Sequence, residues 1–414
     1  MIPLAKPSLG EKEAQAARET ILSGWVTQGP KVREFEEAFA RYVGAKHACA
    51  VSNCTVALHL SLLVVGVKPG DIVLTVSHSF IGTANSIRSC GAEPVFVDID
   101  PKTFNMSAQS LREVLEHHCE QKDGGLFYKE VEKVTVGESP LIFIDPRKRG
   151  RVSAIMPVHQ LGLPCDMKAI LSLSKQYNLS VIEDAACALG SEIYLGSRWG
   201  KVGKPHGKIA CFSFHPRKII TTGDGGMITT NDLDYDQRFR LLRNHGMNIS
   251  GFERQETDKI VLEQYLLTAF NYRMTDLQAA VGLAQLGQLP LFIDKRRRIN
   301  ELYRKYLKDI TWLQLPYEPD YVHTNWQCYP IRLTDCAPLS RNDLIQYLFD
   351  HGIASIPGVM NAHREAPYRL GKYISLKESE KAREEVILLP CHVGLTEKDI
   401  RGISEIFLGI ESKV

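Results

Sequence analysis

Short apolar runs alternate with segments of helical length through the first half of this 414-residue chain, and that rhythm restricts the fold more than any other feature. His47–Ser52, Asp71–Val76, Glu93–Asp98, Ala154–Val158 and Val181–Asp184 read as strands. Between them Thr55–Val65, Phe80–Arg88 and Asp166–Tyr177 read as helices, the first apolar enough to be buried. Strands joined by helices of this length imply βαβ units, and so an α/β fold with a mainly parallel sheet covered on both faces. Ligands of such sheets gather at the carboxyl ends of the strands, so polar residues that follow apolar runs are where chemistry is sought.

The rhythm changes at Lys208–Ser213 and Met227–Thr230, two strands separated by a glycine-rich turn and no helix. Met274–Leu289 and Phe292–Leu307 then read as helices interrupted by Pro290, because proline removes a backbone donor and crowds the preceding turn. The chain is too long for one ordinary core. The hinge is therefore placed near Pro290, giving a large domain over 1–290 and a small C-terminal α+β domain over 291–414. Two helices of the small domain are expected to start at Ser340 and Thr396, each capped with the help of Asp343 or Asp399. Residues 119–151 read as an irregular inserted loop. Its basic run Arg147-Lys148-Arg149-Gly150-Arg151 is taken as solvated, with contact to a phosphorylated ligand as the alternative.

Several classes are set aside. A net charge of +2 gives no broad cationic face for nucleic acid. No stretch approaches the roughly 20 apolar residues of a membrane span, and Met1–Pro7 lacks the apolar run of a secretory leader. The 10 cysteines are scattered, without a CxxC pair or zinc spacing, and read as reduced small hydrophobes in a cytoplasmic protein that binds no metal.

Four elements that follow apolar runs carry candidate chemistry. Ser213-Phe214-His215-Pro216-Arg217-Lys218 precedes the turn Thr221–Gly226. A lysine there can be partly desolvated, which lowers its pKa and suits it to carry an aldehyde covalently; taken alone, it reads as a surface lysine. Asp184 ends an apolar strand, where a buried carboxylate can keep a ring nitrogen protonated or simply cap a helix. Ser52-Asn53-Cys54-Thr55 joins a strand to a helix, a natural anion site or an ordinary cap. Phe80 follows the next strand and can stack on a cofactor ring or fill the core.

The order of these four elements resembles the fold-type-I enzymes dependent on pyridoxal 5′-phosphate (PLP), and more closely the sugar aminotransferases of the DegT/StrS group. The resemblance spans nearly the whole chain. It includes Gly24–Pro30, Gly91–Asp98, Pro157-Val158-His159 with Asp166-Met167, the Asp184 and Lys218 motifs, and Asn271–Ala280.

That resemblance implies the three-layer αβα PLP-transferase fold and a transaminase. Lys218 would carry PLP and shuttle the proton, Asp184 would pair with the ring nitrogen, and Phe80 would stack on the ring. Cys54, Thr55 and Ser213 would hold the phosphate. Asn271 would reach it from a neighbouring subunit, making a homodimer with shared active sites. The implied reaction moves an amino group from glutamate, through the pyridoxamine form (PMP), to a keto group of a nucleotide-linked sugar, as in surface-polysaccharide or secondary-metabolite biosynthesis. Cys187 stands where relatives often carry Gln or His near the ring's phenolic oxygen. Ser355–Gly358 stands where an Arg is frequent, and the 119–151 loop is long for the group. Trp25, Thr27, His215, His323 and His363 are candidate sugar-pocket residues by position. The competing expectations are a PLP-fold regulatory or scaffold protein without turnover and another PLP reaction; intact Lys218 and Asp184 speak against the former.

Overall fold

The computed structural model describes residues 1–249, 254 and 260–411. Seven strands form its main sheet: β1 (His47–Val51), β2 (Ile72–Val76), β3 (Glu93–Val97), β4 (Val152–Met156), β5 (Ser180–Asp184), β6 (Ile209–Ser213) and β7 (Gly226–Thr230). Their spatial order is β1-β7-β6-β5-β4-β2-β3. β7 runs antiparallel to both β1 and β6, as the helix-free turn between β6 and β7 requires, and the other pairs are parallel. The mainly parallel αβα expectation therefore holds.

The period of two along each strand divides its side chains between two helical layers. Ile72, Leu74, Ile155 and Val181 join one core cluster with Leu111, Ile170 and Leu173. Val73, Ala154, Met156, Ile182, Ile209 and Cys211 join another, against the buried helix Cys54–Val64. The same alternation decides where the strand ends aim. Asp184 shares the face of Ile182, and Ser213 that of Ile209 and Cys211, so both meet the start of the Cys54–Val64 helix. Glu183 faces the opposite way, to His159 Nε2 at 3.1 Å and His206 Nδ1 at 3.4 Å.

The small domain holds an antiparallel sheet of β8 (Leu313–Gln314), β9 (Tyr329–Leu333), β10 (Ile356–Pro357) and β11 (Val386–Leu389), in the order β8-β9-β11-β10. Helices Arg341–Asp350 and Glu397–Glu411 lie with it, and Ser340 and Thr396 sit at their starts as expected, bonded to Asp343 and Asp399. The first residues of the chain also join this domain: Ile2 bridges to Ile353, and the Cys391 N–H donates to the Leu4 carbonyl.

Two expectations are corrected. Pro290 does not break its helix; Asp276–Leu307 is one element of 32 residues. The lost backbone bond is offset because the helix is gripped on both sides of the proline. Leu286, Leu289, Phe292 and Ile293 pack in the large-domain core, and Ile299, Leu302, Tyr303 and Leu307 in that of the small domain. Nor is 119–151 irregular throughout. Cys119–Lys122 and Gly125–Tyr128 form a hairpin, followed by short helical turns, because Leu126, Tyr128, Val134 and Leu141 are buried in the large-domain core. Arg147 pairs with Asp145 at the surface, and Arg149 bonds to the Ile144 carbonyl.

All 10 cysteines are free thiols. Among the described residues no helix is long and apolar enough to cross a membrane.

Candidate active site

A cavity of about 1110 Å³ opens at the carboxyl edge of β2, β5 and β6, where the small domain closes over the large one. Cys54, Thr55, Phe80, Asp184, Cys187, Ser213, His215 and Lys218 all line it, so eight positions singled out from the sequence converge on one space. The opposite wall is apolar, with Leu4, Ile356, Val359, Met360 and Leu388.

Each element delivers its group for a local reason. The Asn53 side chain caps the Cys54–Val64 helix by accepting the Val56 N–H at 3.0 Å. The Cys54 and Thr55 N–H groups belong to the first turn, which has no intrahelical partner for them, and they carry the positive end of the helix dipole. Gly226 lets β7 pass close beneath this loop. Phe80 is 70% exposed, large for a phenylalanine with an apolar ring, and its exposure is into the cavity.

Asp184 is buried, and its carboxylate accepts from Thr83 Oγ1 at 2.8 Å and the Ala186 N–H at 3.2 Å. Burial raises its pKa against these two bonds. It has no ion-pair partner among the described residues, unlike its neighbour Glu183, which burial would raise but which His159 and His206 hold well below the usual carboxylate range. A buried carboxylate without a cation is costly unless something positive meets it.

Lys218 is half-buried, and its Nζ donates to Cys187 Sγ at 3.0 Å. The sequence led us to expect a lowered amine pKa. Burial does act in that direction, but the charge and hydrogen bond of Cys187, with Cys54 and Cys328 behind it, outweigh burial and raise it. Burial pushes the Cys54 thiol well above its ordinary value and Cys328 up to about 12, so neither carries charge near neutral pH.

Five predicted residues do not line this cavity. Trp25 and Thr27 lie on a loop before helix Pro30–Val43, with the Trp25 Nε1 donating to the Gln28 carbonyl at 3.3 Å. Asp276 anchors that loop, accepting from Gly29, Lys31 and Val32 N–H groups at 2.8, 3.0 and 3.0 Å. His323 stacks on Trp199 with ring centroids 4.0 Å apart, and His363 Nδ1 lies 2.6 Å from Ser77 Oγ. Asn271 is exposed and bridges to Asn244. The sequence reading missed Thr83, whose partner lies 101 residues away, and Gln327 and Cys328, which enter the cavity from the segment before β9. No local pattern marks any of them.

The donor set fits PLP. An unpaired buried carboxylate meets a protonated ring nitrogen, an aromatic face meets a flat ring, a helix start meets a phosphate, and an amine meets an aldehyde.

Fold and cavity together define an enzyme of the aminotransferase class. The model of the DegT/DnrJ/EryC1/StrS aminotransferase family matches residues 7–407, and the chain belongs to that family of sugar aminotransferases. GDP-perosamine synthase of Caulobacter vibrioides is 38% identical over 404 residues, 96% of this chain and 95% of that protein. The aminotransferase TlmJ of Streptoalloteichus hindustanus superposes with a TM-score of 0.82 at 30% identity, covering 100% of this chain and 99% of that one. Spr1654 of Streptococcus pneumoniae, assigned as a sugar aminotransferase, has been solved in a PLP form with a TM-score of 0.81 at 25% identity, covering 100% and 99% of the two chains, and also in a PMP form.

Proposed function

We propose that this enzyme transfers an amino group from glutamate to a keto group of a nucleotide-linked sugar, with PLP held in the cavity described above. The observation that carries the reading is the buried, unpaired Asp184 carboxylate in the same cavity as the Lys218 amine. Bound PLP supplies an aldehyde that takes up the amino group and a ring that holds the electron pair released at the substrate carbon.

The chain's own residues do the rest. Lys218 Nζ holds the cofactor and then takes and returns the proton at the substrate carbon. Asp184, oriented by Thr83 and the Ala186 N–H, keeps the proton on the ring nitrogen. The Cys54 and Thr55 N–H groups and the Ser213 hydroxyl bind the phosphate. Phe80 packs on the ring face, and Cys187 sits beside the ring's phenolic oxygen. His215 contributes to the sugar pocket from its place on the cavity wall, and Trp25 and Thr27 contribute from the loop before helix Pro30–Val43.

Asn271 reaches the phosphate of a second copy, so the active unit is a homodimer. The exposed apolar side chains Ile260, Leu262, Tyr265 and Leu266 near it in sequence support a surface covered in the assembly. The nucleotide-linked acceptor draws support from the Caulobacter relative, which is named for a GDP-linked amino sugar.

The test is an absorbance spectrum of the protein with PLP, before and after glutamate. The cofactor's visible band should give way on adding glutamate and return on adding a nucleotide-linked keto sugar. A band indifferent to glutamate points to another donor, and no binding of PLP sinks the reading.

A further inference from the structure

The contact between Lys218 and Cys187 is held at both ends by one short segment, Asn325–Gln327, that enters from the start of the small domain. Asn325 is wholly buried. Its Nδ2 donates to the Cys187 carbonyl at 2.8 Å and the Leu189 carbonyl at 2.9 Å, while its Oδ1 accepts the Gln327 N–H at 2.9 Å. Two carbonyls on one side and an N–H on the other fix which way the amide faces. The Gln327 side-chain amide then donates to the carbonyl of Arg217, the residue before Lys218.

The backbone here is held in an unusual shape. Trp326, between the two amide residues, has a φ of +52°, a left-handed conformation that bulky residues seldom adopt. Gly162 has a φ of +98°, and a Cβ on it would stand 2.1 Å from Asn325 Oδ1, so only glycine leaves room for the asparagine. Strained backbone of this kind persists where the surrounding contacts over-determine it, and it gathers at functional sites.

We propose that Asn325 and Gln327 are positioning residues for the amino-transfer step: by gripping the carbonyls of Cys187 and Arg217 they fix where the Lys218 amine stands in the cavity. Neither needs to touch substrate. The proposal rests on the reading of Lys218 as the amine that carries the cofactor and moves the proton. A misplacement of that amine by about 1 Å can cost on the order of a hundredfold in rate.

Gln327→Met keeps the side-chain length and removes only the grip on Arg217, since Gln327 Oε1 already lacks a partner. Its kcat should fall about tenfold or more with KM for both substrates unchanged. In cofactor-free protein, the rate and pH midpoint of Lys218 acetylation by acetic anhydride, read by peptide mass, should also shift. Gln327→Leu, which keeps most of the bulk and has no donor, is the second variant should the first fail to fold. Borohydride reduction of the wild type with PLP separates the two ideas. Attachment at a residue other than Lys218 overturns the reading of the site and this proposal with it. Attachment at Lys218, together with wild-type kcat and acetylation in a folded variant, overturns the proposal alone.

Discussion

Gly226 on β7 lies so close to Asn53 that a Cβ on it would stand 2.5 Å from the Asn53 carbonyl carbon and 2.8 Å from the Cys54 nitrogen. The strand thus forms the floor beneath the loop that presents the first N–H groups of the Cys54–Val64 helix. Gly226→Ala should push that loop away, costing about 1–3 kcal/mol as overpacking does. PLP should also dissociate faster than from the wild type. Unchanged PLP retention in a destabilised variant would mean that the helix start is not the phosphate site.

Lys218→Ala should abolish turnover while leaving the carboxylate and the helix start to bind PLP without a covalent bond. Asp184→Asn keeps a single acceptor oxygen, enough for Thr83 or the Ala186 N–H but not for both, and loses the charge. It should cost several kcal/mol of transition-state stabilisation, roughly 10²–10³ in kcat. Steady-state rates decide both, and a wild-type rate in Asp184→Asn would assign the ring proton to another group.

Asn271 and Lys218 should belong to different subunits of one site. Protomers carrying Asn271→Ala, mixed and reassociated with protomers carrying Lys218→Ala, should regain part of the activity that each lacks. Mixtures as inactive as the parents would place both residues in sites built from one chain.

His78 provides a pH signature of stability. Its Nδ1 lies 2.9 Å from Asn361 Oδ1, and because Asn361 Nδ2 is spent on the Ser379 carbonyl, that oxygen faces a protonated Nδ1. The buried Nε2 has no partner among the described residues, and burial pushes the ring's pKa from 6.5 down to about 4. As pH falls, the unfolded chain takes the proton first. The stability is intact above about pH 6.5 and is lost progressively toward pH 4, by up to about 3 kcal/mol. Over that window the melting temperature should fall more steeply for the wild type than for His78→Gln, and parallel curves would clear the histidine of this role.

The sheet was legible because parallel strands buried on both faces appear as apolar runs, and β5 and β6 end on Asp184 and Ser213 within the predicted segments. The cavity was legible where its residues follow such runs. Thr83, Asn325 and Gln327 were not, because each acts on a residue at least 101 positions away, and no period or cap in the local sequence encodes such a meeting. The helix through Pro290 was misread for a related reason: proline's local penalty was visible, whereas the two cores that hold the helix together were not.

That helix has one more consequence. Its 32 residues make a stiff member about 48 Å long. Its first residue, Asp276, grips the backbone of Gly29, Lys31 and Val32, and its last turns are sunk in the small-domain core. The small domain and the Trp25–Gln28 loop are therefore fastened to opposite ends of one rod, and the large-domain core clamps that rod between them.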